Sequence, residues 1–65
     1  MIIEAHQVQR HSVETGKDVF TIAPGVSARF DDIVQYGGRS YRVVRLQRVT
    51  EGGASVVFAT YKGKL

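Results

Sequence analysis

The stretch DIVQYGGRSYRVVRLQRVTEGGASVVFATY, residues 32–61, decides the fold. It divides at two glycine pairs. Asp32 to Tyr36, Arg39 to Val49 and Ala54 to Tyr61 are runs rich in β-branched and aromatic residues, separated by Gly37-Gly38 and by Thr50-Glu51-Gly52-Gly53. Glycine pairs between such runs mark hairpins, because primed turns need positive φ and glycine supplies it without a Cβ clash. A two-residue turn at Gly37-Gly38 sets Tyr36 opposite Arg39, Val34 opposite Tyr41 and Asp32 opposite Val43, so Val34, Tyr36, Tyr41 and Val43 share a core face. In the second hairpin, even positions of the long strand pair with odd positions of the last. That collects Val44 and Leu46 with Val57, Ala59 and Tyr61. A flat strand cannot satisfy both hairpins, and a bulge or sharp bend at Val43-Val44 reconciles them. A helix over 39–49 would line up Arg39, Arg42, Arg45 and Arg48. It fails because Tyr41, Val43, Val44, Leu46 and Val49 would then surround the axis.

Working outward, Glu14-Thr15-Gly16-Lys17 reads as a turn leading into a strand from Asp18 to Ile22, and Ile2 to Val13 reads as a further strand. Pro24-Gly25 suits the centre of a type II turn. Val26 to Asp31 is then an irregular connection or a single helical turn capped by Ser27. The expectation is one all-β domain over 1–65, about five antiparallel strands in a small, strongly bent, partly open barrel. Its expected core is Phe20, Ile22, Val34, Val43, Val44, Leu46, Val57 and Ala59.

A chain of 65 residues buries about 60% of its unfolded surface and is marginal without help. There is no cysteine, which excludes disulfides and a thiolate zinc site, so oligomerisation is the remaining helper. The N-terminus lacks the basic and apolar regions of a signal peptide, and the longest apolar run, Val56 to Ala59, is far too short to span a bilayer. A cytoplasmic protein, or one carried in a virion, is expected.

Nothing in the chain points to catalysis, a cofactor or a metal. His6 and His11 would face opposite sides of one strand, Asp31 and Asp32 suit turn or cap roles, and no serine sits in a nucleophile elbow. Charge is more informative. Residues 1–35 carry Arg10, Lys17 and Arg29 against Glu4, Glu14, Asp18, Asp31 and Asp32, a net −2. Residues 36–65 carry Arg39, Arg42, Arg45, Arg48, Lys62 and Lys64 against Glu51 alone, a net +5. Arginines neutralise phosphates and tyrosine faces stack bases, so a face built from Tyr36, Arg39, Arg42, Arg45, Arg48 and Lys62 points to a non-enzymatic binding module for nucleic acid. The bland alternative is that these are solvated charges and that Tyr41 and Tyr61 are core residues. The functional alternative is docking onto an acidic protein surface, as an assembly adaptor or a small inhibitor from a phage or mobile element. On the face opposite the core, Val49, Val56 and Phe58 leave enough apolar surface to suggest self-association into a homo-oligomer.

The run from Asp32 to Val44 resembles the Asp-x-Val-x-x-x-Gly-x-x-Tyr-x-Val hairpin of many SH3-like small barrels. It also looks like hairpins in short phage head–tail joining proteins. The match covers about a fifth of the chain and is mostly hairpin physics. The usual glycine before the first aspartate is here Asp31. The resemblance implies a barrel that binds nucleic acid, peptides or neighbouring copies, and it transfers no binding residue.

Overall fold

The computed structural model describes residues 1–65 and contains six strands where about five were expected. They are β1 (Ile2–Ile3), β2 (Val8–Glu14), β3 (Lys17–Ile22), β4 (Ile33–Tyr36), β5 (Arg39–Val49) and β6 (Ser55–Lys64). They form one curled sheet in the order β1-β4-β5-β6-β3-β2, a half-barrel whose concave side holds the core.

The first hairpin forms as its turn dictates. Gly37 and Gly38 take φ values of 60° and 75°, and β4 and β5 pair Tyr36 with Arg39 and Val34 with Tyr41. Val43 donates its N–H to the Asp32 carbonyl at 2.8 Å, which carries the pairing one step past the strand.

The bend also forms. Val43 pairs with Ala59 and Arg45 with Phe58, so Val44 is an extra residue on β5. Two further irregularities were not expected. Gln47 is extra between the Leu46↔Val57 and Arg48↔Val56 pairs, and Lys62 is extra on β6 between Tyr61 and Gly63. The even-to-odd pairing expected of this hairpin therefore holds at Leu46↔Val57 but gives way to Val43↔Ala59 and Tyr41↔Tyr61 outside the bulges.

The segment 2–13 is not one strand. Ile2 and Ile3 pair in parallel with Ile33 and Val34, on the side of β4 away from β5, whereas β2 pairs with β3 at the other end of the sheet. The connection between them must cross the open side. It does so as a 3-10 turn over Ala5–Gln7, in which Gln7 donates its N–H to the Glu4 carbonyl at 2.9 Å and Glu4 donates its N–H to Gln7 Oε1 at 3.0 Å. Each residue satisfies the other, so the backbone can leave strand geometry without orphaned groups.

Pro24-Gly25 makes the expected turn, with Gly25 at φ 89°. The following loop is irregular and closes with Asp32 donating its N–H to the Arg29 carbonyl at 3.1 Å. Asp32 is buried, and its carboxylate accepts the Arg29 N–H at 2.8 Å and lies 3.1 Å from the Met1 amine. Asp31 adopts φ 71°, the left-handed conformation that the usual glycine of this hairpin pattern would take without cost.

Of the eight expected core residues, Phe20, Ile22, Val34, Val43, Val57 and Ala59 are buried, joined by Ile3, Ala28 and Tyr41. Val44, the bulge residue, is only half-buried. Leu46 is 51% exposed because β4 stops pairing at Arg42, and the second half of β5 runs on with no neighbour on that side.

Candidate anion-binding face

Arg42, Arg45 and Arg48 are three residues apart, and in a regular strand the middle one would point away from the other two. The bulges remove that conflict. Each absorbs one residue, so the arginines pair with Thr60, Phe58 and Val56, the alternate residues of β6 that share one face. The result is a ladder on the convex side of the sheet, one arginine for every two residues of β6, a step of about 6.8 Å at strand spacing. Arg45 holds its guanidinium 5.8 Å from the centre of the Phe58 ring. Arg42 Nε lies 3.5 Å from Asp31 Oδ1, with both side chains well exposed, so the pair is weak and easily exchanged for another anion.

The same face continues across β3 to β2. A shallow groove there is lined by Arg10, Glu14, Thr21, Gln47, Arg48 and Val56 among others, which adds a fourth arginine and one carboxylate to the surface.

Two of the remaining expected site residues lie elsewhere. Tyr36 and Arg39 are paired with each other on the concave side, where the Arg39 guanidinium sits 5.7 Å from the centre of the Tyr61 ring. Lys62, the extra residue of β6, is exposed. Tyr61 is 46% exposed, whereas Tyr41 is buried and Tyr36 half-buried. The three residues expected to self-associate are not brought into one patch. Val56 is only 4% exposed and Phe58 is half-buried on the convex face, while Val49 pairs with Ser55 and shares the side of Leu46. The exposed apolar pair on β5 is therefore Leu46 and Val49.

Sequence reasoning missed the cluster around His11. The ring stacks on Phe20 with centroids 4.7 Å apart and packs against Tyr36 at 5.4 Å and Tyr41 at 6.2 Å, and Nε2 lies 2.8 Å from Asp18 Oδ1. His11 belongs to β2 and Tyr36 to β4, so these rings bridge the open side of the half-barrel. The signal was present. Counting back from the Glu14-Lys17 turn places His11 directly opposite Phe20, as observed.

No helix is long and apolar enough to cross a membrane. Comparison with protein families, with characterised proteins and with solved structures gave no match to this chain.

Proposed function

We propose that this protein is a non-enzymatic binding module whose convex face engages nucleic acid, with Arg42, Arg45 and Arg48 on phosphates and Arg10 at the far side of the groove. The observation that carries this is the pair of bulges at Val44 and Gln47, which bring three arginines onto one face where strand alternation would separate them. Their even spacing suits a chain of regularly repeated anions better than the irregular charges of a folded protein. The likeness of residues 32–44 to SH3-like barrels supports a binding role by analogy. Arg39 and Tyr36 lie off this face, on the concave side.

Titration of labelled DNA and RNA at several salt concentrations tests the proposal. Four phosphate contacts give a log–log slope of about −3.6 on duplex and about −2.8 on a single strand. Replacing Arg42 and Arg45 by alanine halves either slope. Absence of binding at low salt refutes the proposal and moves the assignment to docking on an acidic protein. Binding indifferent to both arginines places the footprint on another face.

A further inference from the structure

The convex face carries one aromatic side chain outside the core, and its position bears on the form of nucleic acid recognised. Phe58 pairs with Arg45 on one side and Val19 on the other, in the middle of the sheet, with Thr60 and Val56 as its same-face neighbours along β6. It is half-buried and takes no part in the core cluster, and its only aromatic or cationic partner is the Arg45 guanidinium. Five other rings, His11, Phe20, Tyr36, Tyr41 and Tyr61, form a continuous cluster on the concave side, and Phe30, 64% exposed, lies in the loop between β3 and β4.

We infer that the arginine ladder takes single-stranded rather than duplex nucleic acid, with Phe58 as the platform on which an unpaired base stacks. The inference rests on the ladder reading above and narrows it. Two physical arguments favour the single strand. First, the face spans β5, β6, β3 and β2 side by side, about 14 Å from first to last strand, whereas the major groove is about 12 Å wide and admits only a helix or a two-stranded ribbon. Second, a base in a duplex has both faces covered by its neighbours, so only an unstacked base can lie on Phe58. Bound this way, a strand runs along β5 with phosphates against Arg42, Arg45 and Arg48. Arg45 then swings from the ring to a phosphate as a base takes its place.

The chain has no tryptophan, so Phe58→Trp introduces a single tryptophan at the platform, excited apart from the tyrosines, and preserves a stacking surface. The experiment titrates this variant, the wild type and Phe58→Leu with oligothymidylate and with a duplex of equal length, reading anisotropy of the labelled nucleic acid and, for the tryptophan variant, its emission. The expected result has three parts. The wild type prefers the single strand, and the emission of the Phe58→Trp variant is quenched as the single strand binds. Phe58→Leu binds the single strand about 5- to 150-fold more weakly, with the salt slope unchanged. Equal binding of duplex, or an unaffected Phe58→Leu variant with no change in tryptophan signal, overturns the inference and leaves the arginine ladder standing. No binding of either form overturns both.

Discussion

Replacing Phe20 with leucine removes the ring about which the open side of the half-barrel closes. Phe20 is fully buried and makes three aromatic contacts, to His11 at 4.7 Å, Tyr41 at 4.9 Å and Tyr36 at 5.6 Å. Each such pair contributes about 0.5–1.5 kcal/mol beyond the area it buries. Because the three share one ring, about 2 kcal/mol is a fair total, and the smaller side chain adds about 1 kcal/mol for imperfect filling. A domain of 65 residues has a stability of about 3–10 kcal/mol, so a loss of about 3 kcal/mol is a large fraction of it. At about 4–8 °C per kcal/mol the midpoint falls by about 12–24 °C. Thermal and urea unfolding followed by circular dichroism measures this directly. Combining Phe20→Leu with His11→Ala in a double-mutant cycle then isolates the stack that joins β2 to β3, with an expected coupling of about 0.5–1.5 kcal/mol. A total loss under about 1 kcal/mol would show that the half-barrel does not depend on the Phe20 ring for its closure, and a coupling of zero would show that the stack adds nothing to the pairing of β2 with β3.

Asp31→Gly removes a side chain from a left-handed position and also frees Arg42 from its carboxylate neighbour. Stability should stay within about 1 kcal/mol, since relief of the backbone offsets the greater freedom of the unfolded chain. Nucleic-acid affinity should rise, and an unchanged or weaker affinity in the same titration would count against Arg42 as a phosphate contact. Asp32→Ala leaves the Arg29 N–H without its acceptor and the Met1 amine without its carboxylate, so unfolding by urea should report a loss of about 1–3 kcal/mol. A neutral result would mean that water replaces both contacts.

The hairpin from Asp32 to Val43 was legible because its pairing follows from one two-residue turn, and counting from that turn fixes every partner. The bend at Val43-Val44 was legible for a related reason: two hairpins, each internally consistent, demanded opposite phases of a single strand. Leu46 misled because its apolarity says nothing of whether a neighbouring strand reaches it, and β4 is too short to do so. Val56 misled in the opposite sense. It points away from the core yet is covered, since it lies between Thr21 and Arg48 with the Arg10 side of the groove beyond. The first strand escaped notice because two residues are too few to show a period, and its parallel partner is thirty-one positions away in the chain. As for the site, the arginine content was plain. Arg39 and Arg42 take opposite faces by plain alternation, whereas the place of Arg48 in the ladder depends on the bulge at Gln47, for which no glycine or proline gives a signal.

The bulges at Val44 and Gln47 also make the length of β5 negotiable. Each supplies a residue that has no partner of its own on β6, so a chain shortened by one at Gln47 would keep Arg48 against Val56 and Val49 against Ser55. Elsewhere in a sheet a one-residue deletion inverts every side chain beyond it. Here the strand holds slack at two points between its arginines, and a residue can be lost at either while the order in which charge is presented stays the same.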